Sequence, residues 1–372
     1  VLYALMQHEL KRLLAFHSIE NVGIIALALG ASLVLAARDE PVWSALAFAA
    51  ALLHTLNHAV FKAALFLGAG AIAGAVGELE LDRLGGLLRR MPWTGAAFLV
   101  ASMAIAGVPP LNGFASEWLT LQALVQTVLT QQDALSIVGA GAVVALAATA
   151  ALAALCFVKV VGLVLLGEPR REECARAVEA PWGMRASVAA LAGLCVALGA
   201  AAGLIVPRLS ELGPGTAVLT AGAAVDAPGT GSLPSLALVV GAALMVALLW
   251  RARQSRRAEP APAWACGQPA APALSWTSAG FTKPLRLVLE SVLRPRREVT
   301  VRAQRGVVQE IVYRGEVPHL FDTHLYEPAT RVARRAAGRA RRLQSGSLRA
   351  YLLYLLALLI VVLALARWGM LG

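Results

Sequence analysis

The sequence predicts an all-α fold, a polytopic transmembrane helical bundle with one broken helix and an amphipathic surface helix. Three observations carry this. The 372 residues are 58% hydrophobic and only 15% charged, with a mean hydropathy of +0.68, whereas about a quarter of a soluble domain is charged. Several apolar runs reach the roughly eighteen residues that span a hydrocarbon core of about 30 Å. One of them carries G-V-P-P-L-N-G, Gly107 to Gly113, in its middle.

Seven segments can be drawn: 13–36, 43–76, 92–130, 134–166, 184–206, 233–250 and 348–367. The second and fourth exceed about 20 residues, which implies tilt, a break or a protruding end. In the third, Pro109 and Pro110 remove backbone donors and the flanking glycines permit unusual dihedrals. Such a break at membrane depth requires protein or a watery cavity around the freed groups, and transport proteins place ion sites at breaks of this kind.

Basic residues set the expected orientation. With the end before residue 13 cytoplasmic, the short loops on that side hold Lys11, Arg12, Arg83, Arg89, Arg90, Arg170, Arg171, Arg176 and Arg185, against Arg38 and Arg208 opposite. The long stretch 251–347 then also lies on the cytoplasmic side. A hairpin at 92–130 would reverse this bias, so a single interrupted crossing fits better. The expected location is the inner (cytoplasmic) cell membrane. The net charge of +11 reflects this topology and attraction to anionic lipid. No base-reading motif accompanies it, so nucleic acid is not an expected partner.

Three domains follow: a membrane domain over 1–250, a cytoplasmic basic loop over 251–347, and a C-terminal anchor over 348–372. Within the loop, 258–280 is rich in Ala, Pro and Ser and reads as irregular. Residues 297–315 partly alternate and predict a hairpin around Arg305 and Gly306. From Pro318 to Arg342 the pattern is helical. Leu320, Phe321, Leu325, Val332, Ala336 and Leu343 lie roughly on one side, and Arg331, Arg334, Arg335, Arg339, Arg341 and Arg342 around the rest. A basic amphipathic helix of this type lies on a membrane surface or against partner helices. Pro328 is the objection, and a solvated linker the alternative.

Cys156, Cys174, Cys195 and Cys266 lack metal-type spacing, so neither a disulfide framework nor a metal site is read from them. The chain begins at Val1 without a signal-like region, which predicts a piece of a longer chain.

Ionisable residues at membrane depth cost about 2.5–3.5 kcal/mol each on insertion scales and are functional candidates. In H-T-L-N-H-A-V-F-K, His54, His58 and Lys62 fall at i, i+4 and i+8 on one helix face, with Asn57 nearby. Successive side chains are about 6 Å apart along the axis, a gap that one or two waters bridge. Three such groups make a plausible proton wire, in which a lysine can release its proton and an arginine cannot. The bland alternative is two packing histidines and a lysine reaching for an interface. Glu117, just after the break, is expected in the first turn of the second half-helix. The dipole there favours the carboxylate and burial the acid, a balance suited to proton exchange; the alternative is a simple cap. His17 and Glu20 could pair at i, i+3 in the first segment. Lys11 reads as an interfacial anchor, and Lys159 either reaches for the cytoplasmic face or takes part in the path.

H-E-L-K-R-L-L-A-F-H-S-I-E-N-V-G, H-T-L-N-H-A-V-F-K-A-A-L-F-L and G-V-P-P-L-N-G-F-A-S-E-W together resemble the antiporter-like membrane subunits. That family comprises distal proton-pumping subunits of complex I, Mrp-type cation/proton antiporters, and membrane subunits of formate hydrogenlyase and hydrogenase-4. The match is specific across roughly residues 5–165. Its wording, with the later W-A-C-G and S-A-G-F-T-K-P-L-R, looks most like hydrogenase-4 component B. The resemblance implies that His54, His58 and Lys62 belong to the family's central polar axis and Glu117 to its terminal proton site. It implies that Lys11 matches a lysine, and Glu20 a polar position, of the first motif. The basic helix before the last segment looks like a lateral helix laid along neighbouring subunits. The family's earlier glutamate–lysine pair is missing, which again points to an absent N-terminal half and implies that these residues alone do not pump. The implied function is proton translocation by a non-redox subunit, without cofactor, beside other membrane subunits and a peripheral redox arm. A Mrp-type antiporter subunit and a purely structural anchor are the alternatives.

Overall fold

The computed structural model describes residues 1–130, 133–213, 225–227, 231–254, 267, 275–294, 296–304, 307–317, 322–343 and 346–367. It divides into two compact units, Val1–Val288 and Leu289–Gly372.

The first unit is helical: α1 (Leu2–Leu5), α2 (Leu10–Ala36), α3 (Pro41–Val76), α4 (Leu87–Arg90), α5 (Pro92–Ile105), α6 (Asn112–Leu129), α7 (Ala134–Val164), α8 (Glu172–Arg176), α9 (Trp182–Ala200), α10 (Ala202–Ser210), α11 (Ser235–Gln254) and α12 (Ser278–Val288). A short antiparallel pair, β1 (Val225–Ala227) with β2 (Gly231–Leu233), precedes α11. By length and composition α2, α3, α7 and α9 can each cross a membrane, and 92–105 and 236–248 are shorter apolar helices.

Helix ends follow local chemistry. The Glu9 carboxylate accepts from the amides of Lys11 and Arg12 and starts α2 before the expected residue 13. Pro41 opens α3, where its missing N–H costs nothing, and left-handed Gly77 closes it. The cap of α5 comes from far along the chain: Glu179 accepts from the Trp93 amide at 2.9 Å and the Thr94 hydroxyl at 2.5 Å.

α3 is the hub, packed against α2, α5, α6, α9 and α10. At 36 residues it runs unbroken for roughly 54 Å at 1.5 Å per residue, longer than a hydrocarbon core. Ser32 and Ser44 exchange hydroxyl-to-carbonyl bonds, each 2.9 Å, across α2 and α3, the polar glue that helices use where lipid supplies no hydrophobic drive. Arg38 ties the turn between them to the Thr127 carbonyl and the Asp133 carboxylate, both at 2.6 Å. The core below holds Leu46, Leu53, Leu119 and Val206.

The third apolar segment is interrupted where expected, between Ile105 and Asn112. α5 and α6 do not pack side by side along their lengths. The fifth segment, read as one helix over 184–206, is also divided, at Ala201. Gly199, Gly203 and Pro207 cluster there, and glycine and proline both weaken a helix interior. Residues 278–280, read as loop, are the first turn of α12, and this helix belongs with the membrane unit.

The second unit holds α13 (Glu290–Leu293), the hairpin β3 (Arg296–Gln304) with β4 (Val307–Glu316), α14 (Glu327–Leu343) and the apolar α15 (Leu348–Arg367). The hairpin agrees with its alternating pattern; its expected turn, Arg305 and Gly306, lies outside the described residues. The basic stretch is helical from a π-helical turn, Asp322–Tyr326, that runs directly into α14 at Glu327, and Pro328 stands just past that junction. The expected start at Pro318 lies outside the described residues. Leu320 and Phe321, expected on its apolar side, lie outside the described residues, as does Cys266.

Candidate functional site

Polar residues of α2, α3 and α6 meet inside the first unit. On α3, His54 is fully buried. Its Nδ1 lies 2.9 Å from the Ser116 hydroxyl of α6 and its Nε2 3.1 Å from Oδ1 of Asn21 on α2. One turn on, His58 is half-buried, and its Nε2 is sealed without a partner among the described residues. Lys62, 6% exposed, donates to the Leu14 carbonyl of α2 and stands 5.8 Å from the Phe66 ring centroid. It does not reach for an interface. All three side chains share a face, as the i, i+4, i+8 spacing requires.

The break supplies the opposite wall. Asn57 donates to the Asn112 carbonyl at 2.7 Å and to Ser116 Oγ at 3.1 Å, and Asn112 Nδ2 returns a bond to Asn57 Oδ1 at 3.2 Å. Asn112 Oδ1 also accepts the Gly113 amide at 3.0 Å. Within the loop, Val108 N donates to Met103 O and Leu111 N to Val108 O, each at 3.0 Å. The backbone amides of Gly107, Val108 and Leu111 in the interruption are therefore met by protein, as a low-dielectric setting demands. Glu117 sits in the second turn of α6 rather than the first, because the helix begins at Asn112. The dipole is felt mainly in the first turn, so it contributes less here than expected. Its carboxylate lies against Gly107, where φ is +63° and a Cβ would approach Oε2 to 2.6 Å.

A third group lies beside these on α2. His17 is buried and paired with Glu20, its ring is 4.9 Å from that of Phe157, and the Asn21 amide donates to its carbonyl at 2.7 Å. Through Asn21 the His17 turn joins His54.

Two expected residues lie apart. Lys11 is exposed in the first turn of α2. Lys159 does not reach for the surface, although late in α7. It is fully buried and donates to the carbonyls of Leu5 at 2.7 Å and Gln7 at 3.0 Å and to Ser278 Oγ at 3.4 Å. Those partners match an ammonium's three donors.

Residues 1–144 match the family described as NADH:quinone oxidoreductase/Mrp antiporter, transmembrane. Over 98% of its length the chain is 37% identical to hydrogenase-4 component B of Escherichia coli (strain K12), covering 56% of that protein. The chain is similar to the antiporter-like membrane subunits along nearly its whole length, and its first 144 residues match their family model. Formate hydrogenlyase subunit 3 of the same organism is 38% identical over 80% of this chain and 48% of its own. This antiporter-like chain thus spans about half the length of the curated relatives it matches. A solved archaeal respiratory complex, the membrane-bound sulfane sulfur reductase, contains a chain of the same fold. Its TM-score is 0.64 at 24% identity, over 97% of this chain and 53% of that one. The fold class and the multi-pass membrane character read from the sequence therefore hold.

Asn21, Asn112 and Ser116 were missed as site residues. Each is a small polar residue in an apolar stretch, a weak signal by itself. Their i, i+4 offsets from His17 and from one another were the available clue.

Proposed function

We propose that this chain is the proton-translocating portion of a membrane subunit in a hydrogenase-4, formate hydrogenlyase or NADH-quinone oxidoreductase-like complex. It sits in the inner cell membrane with 251–347 on the cytoplasmic side. Other membrane subunits and a peripheral redox arm are its partners, and electron transfer in that arm drives proton movement here. The observation that carries this reading is the buried face His54–His58–Lys62, joined through Asn57 and Ser116 to a broken helix bearing Glu117. The histidines, Lys62 and Glu117 change protonation; Asn21, Asn57 and Ser116 orient them. His17 and Glu20 form a side branch, and Lys11 and Lys159 stand outside the path. The chain's own residues need no cofactor for these steps.

Proton translocation and electron transfer measured together in inverted vesicles carrying the intact complex test this. Lys62→Ala is expected to abolish translocation in an assembled complex. Both activities surviving unchanged would leave the polar face as packing and the chain as an anchor. The family's printed description also covers Mrp antiporters. Sodium-dependent proton movement without electron transfer would favour that reading.

A further inference from the structure

Gly199 is the penultimate residue of α9, where the fifth apolar segment breaks before α10. A Cβ placed there would lie 2.4 Å from the Pro110 carbonyl oxygen and 2.9 Å from both the Asn112 nitrogen and the Leu111 carbonyl carbon. All three are backbone atoms, two from the end of the loop between α5 and α6 and one from the first residue of α6. Two helix interruptions, far apart in sequence, therefore meet backbone to backbone. The close approach is what requires glycine here. An ordinary Cβ contact begins near 3.4 Å, so any side chain would force the two elements roughly 1 Å apart.

The loop seated on Gly199 leads directly to the buried network. Asn112 presents its carbonyl to Asn57 at 2.7 Å, Asn57 reaches Ser116 Oγ at 3.1 Å, and Ser116 lies 2.9 Å from His54 Nδ1. A 1 Å displacement at Asn112 breaks the first of these bonds, since a hydrogen bond weakens steeply past about 3.5 Å. By contrast, a Cβ added at Gly193, two turns earlier on α9, would meet nothing within 4 Å.

We propose that Gly199 is a positioning residue for the proton path, seating the α5–α6 break so that Asn112, Asn57 and Ser116 hold His54 in register. This rests on the proton-path reading above. It also makes α9, outside the matched residues 1–144, part of what sets the path's geometry.

The test uses the full-length protein in its assembled complex, with Gly199→Ala, Gly193→Ala and Lys62→Ala compared. Readouts are assembly, proton translocation across a pH series, and the structure of the Gly199→Ala complex. Gly199→Ala is expected to assemble, to lose translocation by about tenfold or more, and to displace its pH profile. The Asn57–Asn112 bond opens in its structure, and Gly193→Ala behaves as native. A native rate and profile in Gly199→Ala, with Lys62→Ala inactive, overturns the inference and spares the proton-path reading. If Lys62→Ala translocates normally, the proton-path reading fails. The Asn57–Asn112 distance then decides: an intact bond overturns the seat, an open one upholds it. Should Gly199→Ala not assemble, Asn57→Ala removes the same bond without adding bulk. A displaced pH profile then supports the inference, and a native one sinks it.

Discussion

Lys62 and Lys159 are both buried lysines on long apolar helices, yet their surroundings assign them different work. Lys62 donates to one carbonyl and faces an aromatic ring, beside two histidines. That leaves donors free for water. Lys159 has an acceptor for each of its three hydrogens and holds the Leu5–Gln7 turn and α12 to α7. Lys62→Arg keeps the charge but cannot release its proton, so proton translocation in vesicles should be lost as fully as with Lys62→Ala. Lys159→Met should instead lower the Tm of the purified protein, at a cost of about 2–3 kcal/mol from carbonyls left unpaired, while translocation by the molecules still folded continues. A Tm at the native value would show that those bonds contribute nothing. The charged members of the buried network were legible in the sequence because a titratable residue in an apolar run is conspicuous. Asn21, Asn112 and Ser116 were not, because a small polar residue there acquires meaning only from its neighbour on another helix.

Helix interruptions do at the scale of elements what these residues do singly. The interruption between α5 and α6 starts α6 where the Asn112 carbonyl and side chain and the Ser116 hydroxyl meet Asn57 and His54 of α3. Gly107 is specific to this arrangement, since its φ of +63° lies in the left-handed region and the Glu117 carboxylate rests on it. Gly107→Ala should cost about 1–2 kcal/mol in backbone strain and push Glu117 away, lowering translocation with the complex intact. Gly141→Ala on α7, with nothing within 4 Å, is the control; equal rates in the two variants would dismiss a role for this contact. The first interruption was visible in G-V-P-P-L-N-G. The second, at Ala201, was not, because isolated Gly199, Gly203 and Pro207 in an alanine-rich run look like a weak but continuous helix.

For the whole molecule, the membrane unit extends beyond its apolar segments by capturing α12. The Ser278 amide donates to Asp82 Oδ1 at 2.5 Å, and Arg170 holds the Trp276 carbonyl at 2.6 Å. Burial pushes the Asp82 carboxyl up, but His8, the Ser278 amide and Arg170 together outweigh it and hold it below its ordinary value. A depressed carboxylate stabilises the docked state above that ordinary value, and the contribution disappears as pH falls through the lower folded one. Hydrogen-exchange protection of residues 278–288 should therefore be constant near neutrality and fade only below about pH 4, whereas Asp82→Asn should show the loss already at pH 7. Uniform protection in both would mean that Asp82 does not hold α12. What the sequence determined by itself was local or cumulative: membrane residence from apolar run length, the face shared by His54, His58 and Lys62 from helical periodicity, the first break from its prolines. Tertiary structure decided the rest, namely which polar atoms meet across α2, α3 and α6, that Lys159 is spent on carbonyls, and that Gly199 seats a distant loop. Those facts depend on hydrogen bonds and close contacts between segments up to 154 residues apart. Helical spacing, which relates a residue only to its neighbours within a few turns, carries no record of them.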